Sequence, residues 1–234
     1  MVFSSNLLQG TLIKRYKRFI ADVQLDDGSD VQAHCPNTGP MTGISGPGMR
    51  VALSYHDNPR RKLCYTWEMT QVESGQWVGV NTHRPNDLFH QAFNQGQLAV
   101  FKDYSEIRSE VRWGDSRFDF LLRKDGHNPR YVEIKNAHMK RNEGVFFPDT
   151  VTARGTKHIQ ALTGLVEQGY CASLVYIVQR NDCQFLSIAH DIDPVYGKVF
   201  DHALKVGVSC FAYACEVNPQ GICIQRSLPI REVC

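Results

Sequence analysis

The sequence predicts two folds in tandem, an all-β barrel followed by a mixed α/β domain. Three observations support this. Residues 11–82 carry short runs rich in β-branched and aromatic residues, separated by Gly and Pro clusters such as PNTGPMTGISGPG at 36–48. From residue 86 onward, helical and strand patterns alternate. The change falls near residues 82–86, so the expected units are 1–83 and 84–234. Five short strands suit a small closed barrel of the OB (oligonucleotide-binding) type.

The expected barrel strands are Leu12–Leu25, Asp30–His34, Arg50–His56, Tyr65–Val72 and Trp77–Asn81. The first carries Lys14, Arg15, Tyr16, Lys17 and Arg18, and Arg60, Arg61 and Lys62 sit in the loop before Tyr65. Cations interleaved with aromatics suit a nucleic-acid backbone and its stacked bases. A charged strand edge that blocks unwanted pairing has the same composition. His34 and Cys35 are adjacent, so in a strand they point apart and make a poor metal pair. The Gly-rich loop after them lacks the lysine spacing of a phosphate-binding loop.

Asn86 is the expected N-cap of a helix over Asp87–Asn94 that ends at Gly96. Ser105–Val111 reads as a short helix or an extended entry to the hairpin that follows. HMKRNEGVFFPDT at 138–150 reads as a loop. A helix is predicted from Thr152 to Gln168, with Gly169 at its end. On it Arg154, Lys157 and His158 form a basic arc beside the apolar side of Ile159, Leu162 and Val166. Such an arc suits phosphate contacts, and equally an ordinary solvated face. Leu174–Val178 and Phe185–Ala189 are expected strands. Asp193-Pro194 opens a helix that stops at Gly207, and Val208–Val217 and Ile222–Leu228 close the chain as strands.

Composition excludes little. The 234 residues carry 26 Lys and Arg against 24 Asp and Glu, a net charge of +2, so any basic surface is local. None of the eight cysteines forms a C-x-x-C pair, which argues against a zinc ribbon. Lys14, Arg15, Lys17 and Arg18 interrupt the N-terminal stretch, and no apolar run is long enough to span a membrane. The expectation is a cytoplasmic protein with reduced thiols, most of them small buried hydrophobes.

The stretch richest in chemistry is SRFDFLLRKDGHNPRYVEIK at 116–135. Asp125-Gly126 and Asn128-Pro129 mark a turn between two strands. Alternation places Phe118 and Phe120 on one face and Asp119 on the other. In the second strand Val132 and Ile134 share a face, and Glu133 and Lys135 share the opposite one. Neighbouring strands would bring Asp119, Glu133 and Lys135 together. Two close carboxylates repel unless a cation lies between them or one is protonated. Hard oxygen ligands suit Mg²⁺, or similarly Mn²⁺, with water completing the shell. A metal-held water can attack a phosphodiester, with lysine as a fixed point charge. An E-x-K triplet also occurs as an ordinary solvated face with an incidental ion pair.

Several blocks resemble the sugar fermentation stimulation protein A (SfsA) family. They are RYKRFIADV at 15–23, HCPNTGPM at 34–41, YTWE at 65–68, VNT at 80–82, SEVRWGDSRFDF at 109–120, VEIKNA at 132–137 and FFPDTVTARGTKHI at 146–159. The resemblance implies an OB-type barrel followed by a PD-(D/E)xK nuclease-like domain, DNA binding, and a link to maltose and other sugar metabolism. It implies Asp119 and Glu133 as metal carboxylates, Lys135 as the lysine of the ExK element, and Glu110 as an upstream glutamate. The Ile134 carbonyl would be a further metal ligand. Phe118 stands where the motif's proline would be.

Two functions follow: a Mg²⁺- or Mn²⁺-dependent nuclease, and a non-catalytic, non-specific DNA-binding regulator of sugar metabolism. The partner is DNA, with RNA an alternative. A homodimer would suit gripping a duplex, although no coiled coil or apolar patch marks one.

Overall fold

The basic stretch at 14–18 does not run through as one strand. In the computed structural model, which describes residues 1–3 and 5–231, β1 (Leu8–Tyr16) turns back into β2 (Ile20–Leu25). Lys17 and Arg18 make the reversal with φ of 51° and 66°, and Tyr16 pairs with Ile20. Neither residue is a Gly or Asn, so the sequence carries no ordinary signal for this turn. The hairpin lets Leu12, Ala21, Val23 and Leu25 all face one core.

β3 (Asp30–His34), β4 (Arg50–Tyr55) and β5 (Tyr65–Gln71) follow. The order is β3-β2-β1-β4-β5, and parallel pairing of Ala33 with Tyr65 and His34 with Thr66 closes the barrel. The barrel therefore has five strands, but not the five expected. β1 and β2 divide the first, and the run at 77–81 is a short β6 (Trp77–Gly79) on the β5 edge. Trp67 fills the centre, its ring N–H donating to the Met69 carbonyl at 3.0 Å. A buried indole needs such a partner.

The second unit begins with α1 (Arg84–Asn94), then β7 (Glu106–Trp113), β8 (Ser116–Arg123) and β9 (Arg130–Ala137). The 138–150 stretch is not a plain loop. It forms a hairpin of β10 (Met139–Arg141) and β11 (Gly144–Phe147), turning at Asn142 with φ of 51°. Strands this short fall below what residue alternation can reveal. α2 (Ala153–Glu167), β12 (Cys171–Val178), β13 (Phe185–Ile188), α3 (Pro194–Val206), β14 (Ser209–Asn218) and β15 (Gly221–Leu228) complete the chain. Thr152 caps α2 by accepting the Gly155 N–H, and Asp193 caps α3 by accepting the Tyr196 N–H.

The main sheet has the order β15-β14-β12-β9-β8-β7. Its central strands β9, β12 and β14 are parallel. Both faces are covered, as parallel strands require. On one side α2 and α3 bury Phe118, Leu162, Tyr176 and Phe200. On the other, Leu88 and Phe89 of α1 pack with Val132, Ile134 and Ile177, together with Ala52 and Met69 from the barrel. A small sheet β10-β11-β13 lies beside the main one.

The barrel joins the α/β unit along a polar seam. The Gly79 N–H donates to the Gln179 carbonyl at 2.8 Å, and the Gln179 amide donates to the Asn81 carbonyl at 3.0 Å and to Asn136 at 2.9 Å. A Cβ on Gly79 would meet Gln179 side-chain atoms at 2.6 to 2.9 Å. Gly79→Ala is therefore expected to push the seam apart and cost about 1–3 kcal/mol, read as a lower denaturation midpoint. An unchanged midpoint would show that the seam bears no strain. The first residues also belong to the second unit, since Val2 pairs with Gly221. The seven described cysteines are free; three are buried, three half-buried and Cys223 exposed, fewer buried than expected.

Candidate active site

The site is made where β8 and β9 part. Their pairing runs through Phe120 and Val132 and stops there. The next rung would set Phe118 opposite Ile134. Instead the Asp119 side chain enters the gap, and its Oδ2 accepts the Ile134 N–H at 2.7 Å. Alternation breaks at this point: Phe118 packs on the α2 side and Phe120 on the α1 side, so the two do not share a face as expected. The adjoining strand is irregular at the same level, with Glu110 at φ 58° between the Ser109–Phe120 and Val111–Phe118 pairs. The rest of the alternation stands. Val132 and Ile134 are both in the α1-side core, while Glu133 and Lys135 meet on the other side.

Glu133 is 3 % exposed. Its Oε1 accepts Lys135 Nζ at 2.7 Å and also contacts His158 Nδ1 from α2. An ionised carboxylate only accepts, so Nδ1 carries the donated proton. Its Oε2 is buried and has no hydrogen-bond partner. Asp119 Oδ1 accepts the Asn86 amide at 2.8 Å. Asn86 is therefore not the helix cap. α1 starts at Arg84 behind His83, and Asn86 in its first turn is free to reach Asp119.

The two carboxyls are driven in opposite directions. Burial, then the charge of Glu133, raises Asp119 to about 6. Burial also works to raise Glu133, but the His158 hydrogen bond and the Lys135 charge outweigh it and hold it below the ordinary value. Glu133 is thus the fixed anion and Asp119 the group close to a proton exchange, a division of labour typical of catalytic carboxylate pairs. The donor set fits a hard divalent cation: an orphaned buried carboxylate oxygen beside a second carboxylate that forms no direct ion pair among the described residues. Among the described residues no group of three or more His, Cys, Asp or Glu converges as a ready-made metal cage. Two carboxylates with water completing the shell match Mg²⁺ rather than a metal needing an all-protein cage.

The other expected residues divide. Glu110 is exposed and its carboxylate pairs with Arg117 Nε at 2.7 Å. Lys14 pairs with Asp22 at 3.4 Å, and the Tyr16 hydroxyl donates to Asp22 at 3.1 Å. Arg15 donates to the carbonyls of Arg18, Asn37 and Gly39, tying the hairpin to the 36–48 loop. Lys17, Arg18, Arg60 and Lys62 are exposed, and Arg61 is half-buried with one donor on Thr66. Arg154 and Lys157 are exposed on α2. His158 leaves their arc and turns inward onto Glu133. Residue typing alone groups these three and misses that division.

Two family models match the chain: the SfsA N-terminal OB domain over residues 13–80, and the sugar fermentation stimulation protein RE domain over 83–221. The chain belongs to the SfsA family. A sugar fermentation stimulation protein homolog of Pseudoalteromonas atlantica is 44 % identical over 232 residues, covering 98 % of this chain and 99 % of the relative. A homolog from Paramagnetospirillum magneticum is 48 % identical over 223 residues, covering 95 % and 94 %. The structure of Pyrococcus furiosus SfsA in complex with Ca²⁺ superposes with a TM-score of 0.90 over 99 % of this chain and 98 % of that one, at 23 % identity. That likeness establishes the fold, a barrel followed by a mixed α/β domain, and no more. No helix among the described residues is long and apolar enough to cross a membrane.

Proposed function

We propose that this SfsA-family protein is a divalent-metal-dependent nuclease acting on DNA or RNA. The observation that carries this is the unpartnered, buried Oε2 of Glu133 next to Asp119, at the break between β8 and β9. The calcium complex of the Pyrococcus furiosus relative agrees with a cation site in this fold. Asp119 and Glu133 would hold Mg²⁺ or Mn²⁺, with the Ile134 carbonyl as a further ligand. When bound, the metal would lower the pKa of a water and stabilise charge on a phosphodiester.

The chain's own residues do the rest. His158 and Lys135 fix the Glu133 carboxylate by gripping its Oε1. The Ile134 N–H and Asn86 fix Asp119. Lys135, held at the rim of the pair, can donate to a phosphate oxygen or a water. Arg154 and Lys157 on α2, one turn and one residue before His158, would contact the backbone phosphates, and Lys17, Arg18, Arg60 and Lys62 would extend the track over the barrel.

The second reading is a DNA-binding regulator of sugar metabolism without turnover, in line with the names of the relatives. It is favoured by the closure of Lys135 onto Glu133, which leaves the lysine already neutralised. A matched assay separates the two. Wild type and Lys135→Ala are incubated with single- and double-stranded DNA and RNA in Mg²⁺, Mn²⁺ or EDTA. The nuclease reading expects cleavage by wild type, none in EDTA, and a loss of about a hundredfold or more in the variant. DNA binding in EDTA with no cleavage on any substrate would leave the regulator.

A further inference from the structure

Where the barrel meets the start of α1 lies an open pocket of about 230 Å³. It is lined by His34 at the end of β3, His56 and Arg61 after β4, and His83 and Arg84 at the start of α1. Segments some fifty residues apart therefore bring three histidines and two arginines to one cavity.

At its floor lies Glu68 of β5, fully buried. Its carboxylate is saturated. Oε1 accepts Ser54 Oγ and Arg84 Nη2, both at 2.7 Å, while Oε2 accepts Asn81 at 2.9 Å and Arg84 Nε at 3.0 Å. Both Glu68 oxygens are thus spent on holding Arg84 flat in a two-pronged grip. Ser54, whose hydroxyl is donated to Glu68, lies 3.0 Å from His56 Nε2 and takes its proton, so the donors left for a ligand are those of Arg61 and of the rings of His34 and His83. Arg61 uses one nitrogen on Thr66, at 2.8 Å, and its other guanidinium donors have no partner among the described residues. Three histidines do not make this a metal site, since no three of the described His, Cys, Asp or Glu side chains converge closely enough. The neighbouring charges are felt at the rings. Burial, then Arg61 and His83, lowers His34, and burial, then Arg61, lowers His56, while Glu68 works to raise it and Arg84 to lower it.

We propose that this pocket binds a phosphate group, with Arg61 and Arg84 as charged donors, His34 and His83 completing the cradle, and His56 lining it from its bond to Ser54. Planar guanidinium groups suit phosphate oxygens better than any other side chain. Resting on the nucleic-acid reading above, the phosphate is one carried by the nucleic acid. Arg84 reaches into the pocket and Asn86, two residues on, reaches Asp119. Pocket and carboxylate pair thus flank the first turn of α1. A helix is about 10–12 Å across, so a strand held in the pocket would present a bond a few nucleotides away to the carboxylates.

The probe for the pocket itself is inorganic phosphate, followed through the ring C–H signals of the histidines by NMR on wild type and Arg61→Gln. Arg61 is half-buried and makes one side-chain bond, so its replacement should fold; the thermal midpoint of each protein checks this. The expected result is a saturable shift of His34, His56 and His83, with other histidines unmoved, and at least a tenfold weaker response in Arg61→Gln. No saturable shift, or equal shifts across all nine histidines, overturns the pocket.

Oligonucleotides with and without a 5′-phosphate then identify the source. Tighter binding of the phosphorylated strand, lost in Arg61→Gln, assigns a terminal phosphate. Equal binding of both, weakened alike by the variant, assigns a backbone phosphate. Failure of the two readings is distinguishable. Phosphate saturating the pocket while no oligonucleotide competes keeps the pocket and ends the nucleic-acid reading. Cleavage without any phosphate response does the reverse.

Discussion

Glu133→Gln is expected to abolish the thermal stabilisation that Ca²⁺ or Mg²⁺ confers on the wild type, and to lower cleavage by about a thousandfold or more. The orphaned Oε2 is the atom with capacity to spare, and an amide nitrogen in its place repels a cation. The substitution also has a structural cost. The Lys135 side chain is 12 % exposed and loses its direct ion pair. Leaving a buried cation unpaired costs about 3–5 kcal/mol. Loss of function alone would therefore be ambiguous. The double variant Glu133→Gln/Lys135→Met removes the stranded charge and should recover most of the stability. It should recover none of the metal response. Calorimetric titration with Ca²⁺ needs no turnover, so it reads the site even if the protein never cleaves. A double variant that binds Ca²⁺ as wild type does would remove Glu133 from the metal site.

How far this site was legible follows from what residue patterns encode. The β9 strand was legible because Val132, Glu133, Ile134 and Lys135 alternate in a strand that stays paired with β12 along its length. Asp119 was legible as a residue but not as a geometry. Alternation assumes that pairing continues, and here the carboxylate itself replaces the missing rung by taking the Ile134 N–H. Asn86 was misread because one residue type serves equally as a helix cap and as an amide donor. Helix α1 starts three residues earlier, with Pro85 in its first turn, which is itself a start signal.

The Glu68 grip had no local signature at all. Its partners Ser54, Asn81 and Arg84 come together only because the barrel closes and α1 docks on it. The blocks HCPNTGPM, YTWE and VNT were visible as a resemblance, and each supplies lining to that pocket, but their common destination is a property of the closed barrel. In the same way the basic run at 14–18 was visible, while the turn at Lys17 and Arg18 that turns Arg15 to structural use was not.

Asp119→Asn is expected to make the metal-free protein more stable at pH 8, although it destroys the proposed metal site. Asp119 sits at about 6 in the folded chain against an ordinary 3.8, through burial and then the Glu133 charge. The folded state therefore holds a proton that the unfolded state has released between those two values. The stability this gives is fully present below about pH 4 and is lost as pH rises through about 6. A gap of about two units corresponds to about 3 kcal/mol. Asparagine never ionises, so it escapes the loss. It can still accept from the Ile134 N–H, and the Asn86 amide can turn to present its oxygen.

Glu133 runs the other way. Its depressed value gives stability above the ordinary 4.5 that disappears as pH falls. Wild type and variant share that acid-side loss, so the difference between them isolates Asp119. In EDTA, the variant's midpoint should exceed the wild type's by several degrees at pH 8, at roughly 2–4 °C per kcal/mol for a chain of this size, and the gap should close by about pH 4. Adding Mg²⁺ should raise the wild type and leave the variant unmoved, because the cation supplies the compensation that the buried pair lacks. Parallel profiles from pH 4 to 8 would mean that Asp119 carries no buried charge, and the carboxylate pair would lose its reason to hold a metal.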